Sequence, residues 1–201
     1  MTAKPADLAP IAELKLAQPR RAPVGRPEFG EVMSRLASTV SVVTAAHAGE
    51  DLGRTATSVF SLSATPPAVL VAVDLAARLA DAIVSAGGIS VAMLARDQEV
   101  IADVFAGKLA ATDRFAFGVW GRWPSGQPLL YGAATALDCE LIGRIETQTH
   151  VLFAGAIIEA DTSNPAEPLL WYRHQYQVPR PSSVPANDAE RHWHRPLGSL
   201  P

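Results

Sequence analysis

The segment from Gly53 to Asp74 constrains the fold more than any other stretch of this sequence. Its first half alternates small or hydroxyl residues with apolar ones, and its second half, Ala68 to Val73, is a continuous β-favouring run. Pro66 and Pro67 separate the halves and force an extended turn, because proline lacks an N–H and restrains the residue before it. So short a connection joins antiparallel neighbours, since a parallel crossover needs many more residues. The segment therefore predicts an antiparallel pair of strands.

The first of these strands carries hydroxyl side chains in its middle. Strand alternation places Thr55, Thr57 and Val59 on one face and the residues between them on the other. Such a strand fills a core poorly, but it allows a flat polar ligand to lie close to the backbone. The alternative is that these hydroxyls only satisfy an edge strand, and the residues taken alone favour that alternative.

Strands outnumber helices in the rest of the chain. Apolar residues at helical spacing after Pro27 predict an amphipathic helix, and Gly87-Gly88 and Gly107 are typical ends of two later helices. The further β-favouring segments are Thr39 to Ala45, Ile89 to Leu94, Leu129 to Ile145, His150 to Glu159 and Leu169 to Gln177. Because most connections between them are short, we predict a mainly β fold, a β-barrel with inserted helices, and not a doubly wound sheet.

The 201 residues suffice for one domain with a full core and appended segments. We predict a flexible N-terminal arm over 1–26, a folded domain over 27–180 and a proline-rich C-terminal tail over 181–201. The alternative for the arm is that it packs on a partner subunit.

Composition excludes several classes of protein. A net charge of −3 and a pI near 5.9 argue against a nucleic-acid binder, which needs a basic face. A single cysteine, Cys139, cannot form an intrachain disulfide, which favours a reducing cytoplasm. Its apolar strand predicts an inert core thiol. No uncharged stretch is long enough for a membrane span, so we predict a cytoplasmic protein.

Common catalytic and nucleotide-binding motifs are missing from the sequence. It contains no Gly-x-Gly-x-x-Gly fingerprint, no Walker-type loop and no Gly-x-Ser-x-Gly elbow. The five histidines lack the clustered Cys, Asp or Glu partners of a metal site, and we predict no bound metal.

A series of short motifs nevertheless occurs in a characteristic order. They are Phe29 to Thr44, Thr55-Ala56-Thr57-Ser58, Ser63 with Pro66-Pro67, Gly88 to Leu94, Gln98, Phe105-Ala106-Gly107, Arg114-Phe115, Pro128 to Ala133, Leu137 with Cys139, His150 to Gly155, and Pro168 to Tyr172 with Tyr176. Together they resemble the short-chain flavin reductases, the reductase components of two-component flavin monooxygenases. The resemblance spans roughly 27–180 and implies an FMN-binding split-barrel fold.

The resemblance also implies a set of flavin-binding residues. They are Arg54, Thr55, Ala56, Thr57 and Ser58 on the hydroxyl strand, Asp74, Ala77 and Arg78 at a phosphate-binding helix start, and Phe105, Ala106 and Gly107 lining the pocket. The family usually has serine or threonine at the helix start, where this chain has Ala76-Ala77. Arg78 or Arg54 then supplies the phosphate-binding charge. The alternative is that Arg78 is a solvated helix residue.

His150 is the candidate catalytic residue, because the resemblance implies that it faces the nicotinamide and the flavin edge. The alternative is a hydrogen-bonded structural histidine. The family often has Gly-Asp before this histidine, and Gln148-Thr149 here lacks the carboxylate that would orient the ring. Trp171, Tyr172 and Tyr176 are predicted to be core or subunit-interface aromatics.

The function that the resemblance implies is hydride transfer from NADH or NADPH to FMN (or FAD), held as substrate or as prosthetic group. The reduced flavin would supply a partner monooxygenase, and the protein would be a homodimer with flavin sites near the interface. One alternative is a non-catalytic flavin- or haem-binding split-barrel protein. Others are an FMN-bound reductase of another acceptor, such as a corrinoid or a metal complex, and a scaffold that docks a monooxygenase.

Overall fold

The structure is a computed structural model that describes residues 12–14, 16–17, 19–110 and 113–180. The strands are β1 Ala12–Glu13, β2 Ser38–Thr39, β3 Ser41–His47, β4 Glu50–Ala56, β5 Val59–Ala64, β6 Pro67–Asp74, β7 Gly88–Met93, β8 Trp120–Arg122, β9 Pro128–Leu130, β10 Thr135–Glu146, β11 His150–Asp161, β12 Leu170–Tyr172 and β13 Gln175–Gln177. The helices are α1 Arg26–Ser34, α2 Arg78–Ala86 and α3 Glu99–Ala106. The predicted tail, 181–201, lies outside the described residues.

One large sheet dominates, with strand order β4-β3-β7-β10-β11-β6-β5. The pairs along this order are antiparallel, and β1 adds to β10 in parallel. The strands on either side of Pro66 pair as predicted, with Val59 opposite Val71 and Ala64 opposite Pro67. Two smaller sheets, β13-β12-β2 and β8-β9, complete the mainly β fold.

The sheet curls so that its two edges meet. β4 and β5 stand at opposite ends of the strand order, yet only Thr57 and Ser58 separate them along the chain. So short a link forces the two edges together, which gives the sheet the shape of a barrel with a gap along one side. We refer to residues 57–58 as the corner.

The corner corrects one prediction about side-chain direction. The alternation predicted from the sequence puts Thr55 and Val59 on one face and Ala56 on the other. In the structure Ala56 and Val59 both pack against the same core cluster. The reason is that the two corner residues carry the chain from one sheet edge to the other, which interrupts the alternation of a single strand.

Two apolar clusters make up the core, one on each side of the sheet. β3 shows the division, because Val43 and Ala45 enter one cluster, whereas Val42, together with Val40 just before the strand, enters the other. α2 covers the first cluster, and α3 covers the second. Both helices end as predicted at glycines in the left-handed conformation, Gly87 (φ 67°) and Gly107 (φ 76°).

The predicted amphipathic helix α1 is present, but its apolar face has no partner within the described chain. Phe29, Val32, Met33 and Leu36 at this helix and its end are 58%, 59%, 43% and 53% exposed. The helix is tied to the body at its C-terminal end, where the Arg173 N–H donates to the Ser34 carbonyl at 2.7 Å.

Part of the predicted N-terminal arm is a strand of the main sheet. Ala12 lies opposite Ile145, and the Leu14 N–H donates to the Glu146 carbonyl at 2.9 Å. β10 offers this edge because its pairing with β7 ends at Glu140. The rest of the arm before residue 12 lies outside the described residues.

The single thiol is buried, as predicted. Cys139 lies in the first cluster, and burial raises the pKa of its thiol to about 12. It therefore stays protonated and unreactive near neutral pH. Among the described residues, no helix has both the length and the apolar character needed to cross a bilayer.

Candidate functional site

The corner is fixed to the neighbouring strand by main-chain and side-chain hydrogen bonds. The Ser58 carbonyl accepts from the Ala72 N–H at 3.1 Å, and the Ser58 hydroxyl donates to the Ala72 carbonyl at 3.0 Å. Thr57 is exposed. Within the described residues β4 and β5 are edge strands, so backbone groups on their outer sides face away from any strand partner. The corner therefore offers one exposed hydroxyl to a ligand, between two strand edges.

Helix α3 packs closely on β4, just before the corner. The Thr55 hydroxyl donates to the Ala102 carbonyl at 2.7 Å, so this predicted ligand-binding hydroxyl holds strand and helix together. Gly53 makes the approach possible, because a Cβ at this position would lie 2.6 Å from Cε1 of Phe105. The close packing sets the end of α3 beside the corner.

A cavity of about 170 Å³ lies between the corner and the end of α3. We refer to it as the corner cavity, and it is lined by Val40, Thr55, Thr57, Ala106, Lys108, Trp171 and Tyr176. Its walls are largely apolar and aromatic, while a hydroxyl and an ammonium group stand at its border. This combination suits a flat ring with polar groups along its edges.

The three predicted pocket residues at the end of α3 have different roles. Phe105 is fully buried, and its ring packs against Phe115 and Trp120 with centroids 5.1 and 5.6 Å away. Ala106 lines the corner cavity, and Gly107 ends the helix. Ala106 alone among the three thus lines the corner cavity, while Phe105 belongs to the second core cluster.

A second cavity, of about 650 Å³, also borders this helix end. Its lining residues are Gly107, Leu109, Ala110, Asp113, Arg114, Ala116 and Phe117. Arg114 joins this lining to β4 and α3, because its Nη1 donates to the carbonyls of Gly53 and Phe105, each at 3.4 Å. Although larger, this cavity contains none of the predicted hydroxyl residues.

A helix, α2, begins at Arg78, where the resemblance predicts a phosphate-binding helix start. The Asp74 carboxylate accepts from the Ala76 N–H at 2.8 Å, and Ala77 is the N-cap residue, with an extended backbone. Arg78 is paired with Glu50 at 2.5 Å. Glu50 begins β4, six residues or about 20 Å along the strand from Ala56. The structure thus directs the Arg78 side chain towards the end of β4 away from the corner. Arg54 is exposed on β4, opposite Val43.

His150 begins β11 and lies directly opposite Asp74 on β6. Its ring Nδ1 is 2.8 Å from the Thr149 hydroxyl, and its main-chain N–H donates to the Thr147 hydroxyl at 3.0 Å. Ala72, the hydrogen-bond partner of the corner, precedes Asp74 by two residues, about 7 Å along the strand. His150, Asp74 and the corner therefore lie at one end of the sheet.

Sequence reasoning missed four residues that border the corner cavity, and Val40 was predicted only as part of a strand. Lys108 was not singled out, and Trp171 and Tyr176 were predicted to be core or interface residues. Both aromatics do pack against the second core cluster, but each also exposes part of its ring to the cavity. The position of Lys108 directly after the glycine that ends α3 was the available signal.

Comparison with known proteins points to one family. The family profile described as "Flavin reductase like domain" matches residues 33–179. FMN reductase (NADH) RutF of Methylorubrum extorquens is 35% identical over 183 residues, covering 89% of this chain and 88% of the relative. The reductase component of FADH(2)-dependent resorcinol hydroxylase from Rhizobium sp. is 33% identical and covers 79% and 89% of the two chains.

Solved structures with a similar fold point to the same family. The solved structure of an NADH:FAD oxidoreductase of Streptomyces globisporus superposes with a TM-score of 0.73 at 28% identity. The match covers 83% of this chain and all of the other. The predicted split-barrel fold is thereby confirmed.

Proposed function

This chain belongs to the family of flavin reductase-like domains, and we propose that it binds the flavin in the corner cavity. It is an NADH-dependent flavin reductase, an oxidoreductase whose flavin is FMN. The observation that carries the proposed site is the meeting of two separate family motifs in one cavity. Thr55 and Thr57 come from the hydroxyl strand and Ala106 from the end of α3, some 50 residues later.

The chemistry of the residues around the corner cavity suits a flavin ring. Flavin, when bound, supplies the hydride-accepting redox chemistry. The protein orients it: Val40 and Trp171 provide apolar surface, while Thr57 and the backbone of the corner provide hydrogen-bond donors. Fixed donors stabilise negative charge that develops on a ligand, and no acidic side chain is needed for that. Ser58 keeps this backbone in place through its two bonds to Ala72.

We propose that His150, Asp74 and the start of α2 form the adjoining part of the site. Ala77 and the first turn of α2 would meet the phosphate end through main-chain N–H groups, since this helix start lacks hydroxyl side chains. The exposed Arg54 is the candidate charge there, because Arg78 already has Glu50 as its partner. His150 would contact the nicotinamide donor.

We propose further that the protein is a homodimer that supplies reduced flavin to a partner monooxygenase. The reductase component of resorcinol hydroxylase supports the partner. The exposed apolar face of α1 supports a subunit interface, because contiguous apolar surface of this kind is usually covered by another chain. Residues 27–180 are the proposed reductase domain, with 1–26 and 181–201 as appended segments.

An absorbance assay tests the proposed reaction. Purified protein is mixed with NADH, with and without added FMN, and the nicotinamide absorbance band is followed. Oxidation that requires added FMN identifies FMN as a substrate, and oxidation without it identifies a bound prosthetic group. Spectral binding of FMN without NADH oxidation would favour a flavin-binding protein that is not an enzyme.

Thr57→Val tests the corner. We expect the Kd for FMN to rise about fivefold, because one hydrogen bond contributes on the order of 1 kcal/mol. The fold should be unaffected, since Thr57 is exposed. Fluorescence titration measures the Kd, and Thr162→Val, the same change at another exposed threonine, is the control. An unchanged Kd in Thr57→Val would count against the proposed site.

His150→Ala tests the donor side of the site. We expect the KM for NADH to rise several-fold more than the KM for FMN, because His150 is exposed beside Asp74 and does not line the corner cavity. Steady-state kinetics with each substrate varied in turn measures both constants. If neither KM changes, His150 has no part in binding the donor.

A further inference from the structure

A hydrogen-bonded cluster at the border of the corner cavity joins the β12–β13 hairpin to helix α3. The Tyr176 hydroxyl donates to Oδ1 of Asp103 at 2.5 Å. Lys108 Nζ donates to the same oxygen at 2.8 Å and to the Tyr176 hydroxyl at 3.3 Å. Asp103 is on α3, Lys108 follows its end, and Tyr176 is on β13. Three polar groups thus meet at the seam between two elements that enclose the cavity.

The same lysine lies against the aromatic wall. Lys108 Nζ is 4.8 Å from the ring centroid of Trp171 and 4.9 Å from that of Tyr176. The two rings meet edge to face, with centroids 5.1 Å apart. A cation at this distance is attracted by the ring faces. Lys108 therefore contacts both rings through its charge, and it holds Tyr176 through a hydrogen bond as well.

The cluster keeps its charges across neutral pH. The hydrogen bond from Lys108, and then that from Tyr176, lower the pKa of Asp103. The bond to Asp103 raises the pKa of Lys108. Burial, and then the bond to Asp103, raise the pKa of Tyr176, so its hydroxyl retains the proton that it donates.

The hairpin that the cluster holds has a strained turn. Arg173 and His174, which connect β12 to β13, have φ angles of 50° and 60°. Residues other than glycine rarely adopt this region, and they do so where the surrounding contacts impose it. β12 is fastened on its other side to β2, whereas β13 is the outer strand of the three. The cluster is therefore well placed to hold β13 against α3.

From these contacts we infer that Asp103, Lys108 and Tyr176 form a clamp that sets the aromatic wall of the corner cavity for flavin binding. The three are positioning residues, and this role rests on the proposed flavin site. Trp171 and Tyr176 are the rings that the clamp positions. With the clamp broken, β13 is free to move away from α3 and the cavity loses its defined width.

The test compares the Kd for FMN with the thermal unfolding temperature. Tyr176→Phe keeps the ring and removes the hydroxyl, and Lys108→Met keeps much of the stem and removes the charge. We expect either change to raise the Kd about fivefold, the loss typical of one hydrogen bond. The unfolding temperature should shift little, because exposed ion pairs contribute little to stability. Lys108→Arg, which keeps the cation, should stay within about twofold of the natural protein.

Arg96→Met is the matched control. Arg96 pairs with Glu167 at 3.0 Å and is comparably exposed, but it does not line the corner cavity. The Kd of Arg96→Met for FMN should equal that of the natural protein. A double variant adds a further criterion: in an Asp103→Asn background, Tyr176→Phe should cause little additional loss, because the shared bond is already weakened.

Different failures have different meanings. An unchanged Kd in Tyr176→Phe and Lys108→Met, with a raised Kd in Thr57→Val, would overturn the clamp and leave the flavin site in place. Unchanged Kd values in all three would overturn both proposals. A loss in Lys108→Met without a loss in Tyr176→Phe would indicate a direct charge contact and contradict the clamp, as would an equal loss in Arg96→Met.

Discussion

Phe105→Ala is expected to lower the free energy of unfolding by about 3–5 kcal/mol, the usual cost of removing a buried aromatic ring. Phe105 is fully buried and is the ring that Phe115, Trp120 and Gly53 all approach. Its loss leaves a cavity in the core next to α3, whose last residue, Ala106, lines the corner cavity, so FMN binding should weaken together with stability. Urea unfolding measures the stability, and FMN titration below the unfolding transition measures binding.

Val100→Ala provides the comparison for this variant. Val100 is on the same helix but 54% exposed, and its truncation should change the free energy of unfolding by less than about 0.5 kcal/mol. A loss of stability below about 1 kcal/mol in Phe105→Ala would contradict the close packing of this ring, and an unchanged Kd for FMN would show that the site does not depend on it.

Gly53→Ala is expected to destabilise the protein by about 1–3 kcal/mol, the usual cost of overpacking. A Cβ at this position would lie 2.6 Å from Cε1 and 2.9 Å from Cδ1 of Phe105, and 2.9 Å from Cγ2 of Thr44. These contacts push α3 away from β4, so the Thr55 bond to Ala102 should lengthen and the corner cavity should change shape. Thermal unfolding and FMN titration report the two effects.

The steric cause of the destabilisation by Gly53→Ala can be isolated by making the same change in a Phe105→Leu variant. In Phe105→Leu the clashing ring is gone, and Gly53→Ala should then cost clearly less. Gly30→Ala is the control for the substitution itself, because a Cβ there meets nothing within 4 Å and alanine favours a helix. An equal cost of Gly53→Ala in both backgrounds would contradict the close packing of α3 on β4.

Much of the fold follows from local signals in the sequence. The paired prolines predict the antiparallel β5–β6 connection, and the glycines at 87 and 107 predict the ends of α2 and α3. The corner was not predictable in the same way. Thr57 and Ser58 continue the alternation of β4 without a proline or glycine, and only the closing of the sheet shows that the chain changes edge there.

The candidate site was also predictable only in part. The resemblance to flavin reductases brought Thr55, Thr57 and Ala106 to attention, and they do line one cavity. No sequence pattern indicated contacts between side chains that lie far apart along the chain. Two such contacts determine the roles of Arg78, which pairs with Glu50, and of Lys108, which donates to Tyr176. Such partners are set by how the sheet curls and not by any local pattern.

The central claim is that the flavin ring lies in the corner cavity, and a crystal structure determined with excess FMN tests it most directly. The account predicts density for the ring between the main chain of the corner, Ala106 and Trp171. Density in the cavity between Gly107 and Phe117, with the corner cavity closed and the main-chain groups of the corner already paired, would contradict it.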